Sequence, residues 1–409
     1  MFYGWKLAGL GLIGNLMIQG GAIYIMNAFM EPLEAMHGWS RTSITLAISA
    51  ASIFGTLAMP ISITLSQKFQ IRIITALAAL IGGIAFIGKG WVSSVFLFGI
   101  CFSIVWMSGQ ACGGALSNVL IQRWFVKYRG RAFGIVNVGT SLAGAVLPFI
   151  SLLLVDALGV TSAYTLLGCV VLLLCPISYI MIRDKPEDMG LTVDGVPEEP
   201  KATPPAGVPA LSKDLTVKQI LSYKETWTIG ISFGIALMTA AGVVSQLKPR
   251  FVEVGMGDYE AMTFMCLTAA FGAVGKYGWG WGCDKISSLT ATRLLFISNA
   301  ISLTFILLPN NFFTTILFVC TWGISMGGIL TVLPAMVTHA FGREKFPSVY
   351  KIMALFTLLK ALGYSLMGIS FDLFDSYDFA YIAMIAALGV SILGMCIITE
   401  KELDRLRNN

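Results

Sequence analysis

The sequence predicts an all-α membrane protein, with twelve transmembrane helices in two pseudo-symmetric six-helix bundles. Three observations predict it. The 409 residues are 56% hydrophobic and only 12% charged, about half the charged fraction of an ordinary soluble domain. Apolar runs long enough to cross hydrocarbon recur along the chain. One polar, proline-rich segment divides those runs six and six. A soluble fold of this length cannot hide so much apolar surface, because much of any folded surface faces water. Lipid is the solvent that fits, and the 43 glycines agree with it, since glycine is frequent in membrane helices.

A crossing needs about 20 apolar residues. On that basis the first six spans run at about 5–30, 42–66, 71–91, 93–122, 131–156 and 161–182. The first run is too long for a signal-peptide core and lacks a basic leader, so it reads as a retained helix. The segment 184–225 contains PEEPKATPPAGVP. It is too polar to bury a core and reads as a linker. Six more spans follow at about 226–247, 261–283, 290–308, 312–340, 347–371 and 378–399. The predicted units are therefore 1–183, the linker 184–225, 226–400, and a tail 401–409.

Charge distribution tests this scheme independently of hydropathy. With the N-terminus inside, the inner segments hold twenty Lys and Arg residues. The outer segments hold four: Arg41, Lys89, Lys248 and Arg250. That bias places both termini in the cytoplasm of a cell whose inner membrane holds the chain. It also accounts for the net charge of +5 without a nucleic-acid partner. The halves echo each other. Arg123-Trp124-Phe125 with Lys127 and Arg129 leads into span 5, and 216 residues later His339-Ala340-Phe341 with Arg343 and Lys345 leads into span 11. Such weak internal symmetry is a signature of transporters.

Charges inside the spans point to a site. The acidic residues fall in loops, tails or span ends, with Asp156, Glu260, Asp284 and Asp372 nearest the core. Lys360 lies 13 residues beyond Pro347 and 12 before Asp372, roughly 18–20 Å of helix from either end. Lys276 lies eight residues before Asp284, about 12 Å from the inner end. A charge at that depth is costly unless it meets water or a partner. With no core carboxylate on offer, the pair points to a cavity that takes an anion. Polar residues that complete such a site are Gln19, Tyr24 and Asn27 on span 1, beside the Gly20-Gly21 pair, and Asn118 on span 4. Gln110 on span 4 and Asn137 and Thr140 on span 5 are further candidates, and each of these polar residues alone is more often an interhelical bond than a ligand contact.

Enzyme chemistry finds no footing. The eight cysteines lie in apolar runs without a CxxC pair, there are two histidines and no HExxH, and no metal or cofactor is implied. The G-x-S-x-G at Gly323-Ile324-Ser325-Met326-Gly327 sits inside span 10 and reads as helix packing, not a nucleophile elbow.

Several segments resemble the monocarboxylate-porter and oxalate:formate-antiporter branches of the major facilitator superfamily. The opening Phe2-Tyr3-Gly4-Trp5 is similar to their aromatic-Gly-Trp start. His37-Gly38-Trp39-Ser40-Arg41 is similar to their entry to span 2. Arg123-Trp124-Phe125 followed by Arg129-Gly130-Arg131-Ala132-Phe133-Gly134 resembles their connection between spans 4 and 5. Arg183-Asp184-Lys185-Pro186-Glu187-Asp188-Met189-Gly190 resembles their segment after span 6. Gly280 with Asp284-Lys285 resembles the superfamily's second-half loop. The resemblance covers the whole chain. It implies transport of small carboxylates, and a gating role for Arg129, Asp284 and Lys285. The family's essential span 8 arginine falls at Lys276, and the oxalate:formate antiporter's span 11 lysine falls within about a turn of Lys360. The sequence departs from the pattern in three places. Lysine replaces arginine at 276. Gln67 and Gln70 stand where Asp and Gly are usual. Gly272 stands where proton-coupled members carry aspartate.

The expected function is alternating-access transport of a small carboxylate by a cofactor-free monomer in the lipid bilayer, through anion exchange of the oxalate/formate type. The alternatives are proton-coupled uptake of lactate- or pyruvate-like acids, with a lysine or His339 carrying the proton, and efflux of amphipathic drugs.

Overall fold

In hydrocarbon every backbone N–H and C=O must be satisfied within the protein, so apolar crossings become helices. A computed structural model describes residues 2–39, 41–195, 215–253, 255–308, 311–374 and 376–408. Among these residues nine stretches are long and apolar enough to cross a membrane. One of them, Phe312–Phe371, has 60 residues. At 1.5 Å per residue it would extend about 90 Å, three times the hydrocarbon thickness. It is two crossings, spans 10 and 11, and the chain reverses at Gly342, whose φ of 82° and ψ of 172° suit glycine alone. The last two crossings are span 1, whose α-helix is interrupted by a π-helical turn, and span 8, Asp258–Lys285, which is rich in glycine and polar residues.

The twelve spans are therefore as follows. Span 1 comprises Tyr3–Gly14, a π-helical turn Asn15–Gly20, Gly21–Tyr24 and Met26–His37. Spans 2 and 3 are Arg41–Lys68 and Ile71–Trp91. Span 4 is split into Val95–Cys112 and Ala115–Trp124. Spans 5 and 6 are Arg129–Leu158 and Val160–Met181, turned at Gly159. Span 7 is Lys224–Ser245, span 9 Ser288–Ile306 and span 12 Asp378–Ile397. The helix Phe312–Phe356 holds span 10 and the start of span 11. Span 11 then tightens to a 3-10 turn, Thr357–Leu359, and continues as Lys360–Phe374. Three spans thus depart from regular α-helix in their interiors, at Asn15–Gly20, Gly113-Gly114 and Thr357–Leu359. Such breaks concentrate at functional places in membrane helices.

Large apolar side chains such as Phe149, Leu153, Leu393 and Ile397 are exposed, as a lipid-facing surface requires. Inside, packing is uneven. One apolar cluster joins the two halves. It includes Leu7, Leu116, Trp124 and Phe133 of the first half with Phe341, Phe346 and Val349 of the second. A second cluster belongs to the first half alone, from Ile18 and Phe29 through Phe86 and Phe102 to Tyr164. The joined region lies toward the face that carries both termini. The separate cluster lies toward the opposite face.

The segment after span 6 is docked on the first half. Asp184 accepts from the Ile71 N–H at 2.9 Å and pairs with Arg123 at 3.4 Å. Trp124 Nε1 donates to the Arg183 carbonyl at 2.9 Å. Asp194 accepts from the Val126 and Lys127 N–H groups at 2.9 and 2.6 Å. The linker's proline-rich middle, 196–214, lies outside the described residues. The tail is a helix, Glu400–Asn408, held against span 10 and the turn after it. Lys345 donates to the Leu406 carbonyl at 3.0 Å, and His339 bonds Glu400 at 2.7 Å.

Candidate functional site

Glycines determine where Lys276 points. A Cβ on Gly275 would lie 2.1 Å from the Ile324 carbonyl oxygen, and one on Gly327 would lie 2.3 Å from that of Gly272. Spans 8 and 10 therefore touch backbone to backbone along one side. On its other side span 8 meets span 5, where a Cβ on Gly134 would sit 2.7 Å from the Lys276 carbonyl oxygen. The Lys276 side chain crosses that second contact. Its ammonium donates to Thr140 Oγ1, and to Ser141 Oγ at 2.7 Å. It is only 6% exposed.

Lys360 follows the 3-10 turn of span 11. Its ammonium donates to Thr56 Oγ1 on span 2 at 3.2 Å. The two lysines thus arise from the second half, and each reaches a hydroxyl of the first. The acceptors are oriented for this. Thr56 donates its own proton to the Ser52 carbonyl at 2.9 Å, and Thr140 donates to that of Asn137 at 3.0 Å, which leaves hydroxyl lone pairs for the ammoniums. Among the described residues neither lysine has a carboxylate partner. An ammonium has three N–H donors. Lys276 therefore keeps one for a ligand and Lys360 keeps two.

The other candidate residues divide. Gln19 lies in the π-helical turn of span 1. Its Oε1 is buried without a partner, beside Gln110 and the span 4 break at Gly114. Tyr24 packs its ring on Gly144 of span 5, 3.0 Å from where a Cβ would be. The side chain of Asn27 lies outside the described residues. Asn118 is buried and donates to Tyr350 Oη at 3.0 Å, so it clasps the two halves together. His339 is engaged by Glu400 near the termini, away from both lysines.

The predicted gate residues meet at the terminal face. Asp284, at the end of span 8, accepts from the Gly130 and Arg131 N–H groups at 2.7 and 3.0 Å, and pairs with Arg131 at 3.4 Å. It therefore sits on the positive N-terminal end of span 5, where a helix favours an anion. Arg129 opens that helix, and Lys285 closes span 8. Other bonds across the halves lie on the same side. Arg343 donates to the carbonyls of Gln122 and Arg123, Thr338 donates to Gln122 at 2.8 Å, and Gln67 donates to Ser348 at 3.2 Å. The hydrogen bonds between halves thus run from the lysines to the terminal face, which is the closed side.

Ser141 and Thr56 were not legible as site residues. A hydroxyl in an apolar helix ordinarily bonds back to its own turn, and nothing local marks one that also serves another helix. One expectation needs correction. Lys89, counted with the outer segments, lies within span 3 and is fully buried.

A family model described as Major Facilitator Superfamily matches residues 12–368. The uncharacterized MFS-type transporter YhjX of Escherichia coli K12 is 21% identical, over 85% of this chain and 84% of its own. Monocarboxylate transporter 10 of Rattus norvegicus is 22% identical, over 93% and 75%. Monocarboxylate transporter 11 of Homo sapiens is 22% identical, over 73% and 60%. Among solved structures, the human organic anion transporter MFSD10 (TETRAN) superposes with a TM-score of 0.72 at 14% identity, covering 96% of this chain and 99% of its own. FucP in the outward conformation superposes at 0.70 and 13%, covering 96% and 97%. The twelve-span architecture and the family match over most of the length lead to one conclusion: this chain belongs to the Major Facilitator Superfamily and is a multi-pass membrane transporter.

Proposed function

We propose that this transporter carries small carboxylate anions by exchange. One observation carries the reading. Two ammoniums stand between the halves with spare N–H donors and only hydroxyls for company. A buried cation without a counter-charge costs several kcal/mol, and a bound carboxylate relieves that cost. The empty carrier therefore resists closing both faces around the lysines, while the loaded one closes. That difference couples movement in one direction to return with another anion. Similarity to monocarboxylate transporters supports the substrate class. The basic bias toward the terminal face supports cytoplasmic termini in an inner membrane, and the closed terminal face then makes this an outward-facing state.

The test uses proteoliposomes preloaded with oxalate, formate, lactate or pyruvate. Lys276→Met and Lys360→Met each remove a buried partner of the anion, a loss of about 2–5 kcal/mol. Exchange is expected to fall at least thirtyfold, with Lys276→Arg retaining part of it and Lys276→Gln none. Full exchange by both Met variants would overturn the reading.

A further inference from the structure

Lys89 lies two residues before Trp91, the last residue of span 3. A lysine so close to a helix end normally extends to the headgroups. This one turns inward. It is fully buried, and its ammonium has no hydrogen-bond acceptor among the described residues. Instead it faces four aromatic rings, with centroids at 4.2 Å (Phe102), 4.8 Å (Tyr164), 5.0 Å (Phe86) and 5.5 Å (Phe98). All lie within the roughly 6 Å at which a ring face attracts a cation. The rings come from spans 3, 4 and 6, so one charge ties three helices.

The cage leads to span 1. The Tyr164 ring stacks on Phe29 at 4.0 Å, and its hydroxyl donates to Met26 Sδ at 3.5 Å. Both partners belong to Met26–His37, the outer piece of span 1, which the π-helical turn separates from Tyr3–Gly14. The π-helical turn keeps helical dihedrals but departs from the regular ladder, and such a turn is a natural place for a helix to bend. Side-chain contacts on the far piece then help to set its attitude. A methionine would fill the Lys89 position without the cost of burying a charge without an acceptor. What the ammonium adds is attraction to ring faces, which holds each ring in one orientation.

We propose that Lys89 is a positioning residue. Its caged ammonium orients Tyr164, and through Tyr164 it sets the outer piece of span 1 and the adjoining Tyr24 against the transport path. The link to substrate rests on the carboxylate reading above. The link to span 1 does not.

The experiment replaces Phe102, the nearest ring, with mono-, di- and trifluorophenylalanine, which withdraw the ring's negative face with little change in volume. Spin labels at Met36 and Phe96, both exposed at outer ends of spans 1 and 4, report the position of the outer piece in a cysteine-replaced background. The label distance distribution is expected to widen with each fluorine, and KM for exchange to rise about fivefold across the series, with the maximal rate within about twofold. In Lys89→Met the fluorine series should be flat, and Lys89→Arg should restore the narrow distribution. A label distribution indifferent to fluorination overturns the proposal. So does a lowered melting point with the labels and KM unmoved, since that makes the cage packing only. If the wild type exchanges no carboxylate yet the labels respond stepwise, the substrate reading fails and the positioning role stands.

Discussion

Replacing Asp284 with asparagine should swing the two halves toward the opposite conformation. The carboxylate joins them only where their terminal ends meet. It accepts two backbone N–H groups of span 5 at 2.7 and 3.0 Å, lies 3.4 Å from the Arg131 guanidinium, and its side chain is only 4% exposed. A hydrogen bond to a charged group contributes about 1.5–3 kcal/mol. Asparagine keeps the shape and one carbonyl oxygen, so it retains one bond in neutral form and loses the other along with the ion pair. The net loss is about 2–3 kcal/mol, or roughly 30- to 150-fold in population. Because the contact exists in the terminal-closed state alone, the whole loss falls on that state. Labels at Trp91 and Phe312, exposed on opposite halves at the face away from the termini, read the change by pulsed electron resonance. The long-distance population of the wild type should give way to a shorter one in Asp284→Asn. An unchanged distribution, or a shift to longer distance, would refute the assignment of Asp284 as the clamp between halves.

Other perturbations follow from the same geometry. A Cβ on Gly280 would lie 2.2 Å from the Gly130 carbonyl oxygen. Gly280→Ala should therefore cost the terminal-closed state about 1–3 kcal/mol, shortening the same label distance in a protein that still folds. The terminal helix should release in acid. A 2.6 Å bond to Lys224, helped by Thr399, lowers the Glu402 carboxyl to about 2. A lowered carboxyl contributes its tether fully above the usual pKa of about 4.3 and loses it as pH falls through the folded value. A spin label at Asp404 should thus keep its mobility from neutral pH to about pH 5 and loosen only near pH 2. Lys224→Met should move that onset upward. Tyr350→Phe removes the acceptor of Asn118 at the clasp between halves, and should weaken the closed state by about 1–2 kcal/mol, visible as a smaller shift of the Trp91–Phe312 distance than Asp284→Asn gives.

Much of the arrangement could be read in advance because few solutions exist in lipid. Lys276 and Lys360 stood out since a cation inside an apolar span is costly unless it meets water or a partner. Of their acceptors only Thr140 was among the candidates. Thr56 and Ser141 look like any hydroxyl in a membrane helix, and only the crossing of spans 2 with 11 and 5 with 8 gives them their role. That Asn118 also clasps the halves was not legible, because Tyr350 lies 232 positions away in sequence and adjacent in space.

Hydrocarbon thickness sets span length and the charge bias sets orientation, so the number of crossings, their division into halves and the presence of deep unpaired cations belonged to the sequence by itself. Where each cation points was decided by the tertiary structure. Lys89 shows why: chain position put it beside the headgroups, yet rings supplied by three separate spans draw its ammonium inward. Attraction that depends on several helices meeting at one point has no signature in any one of them.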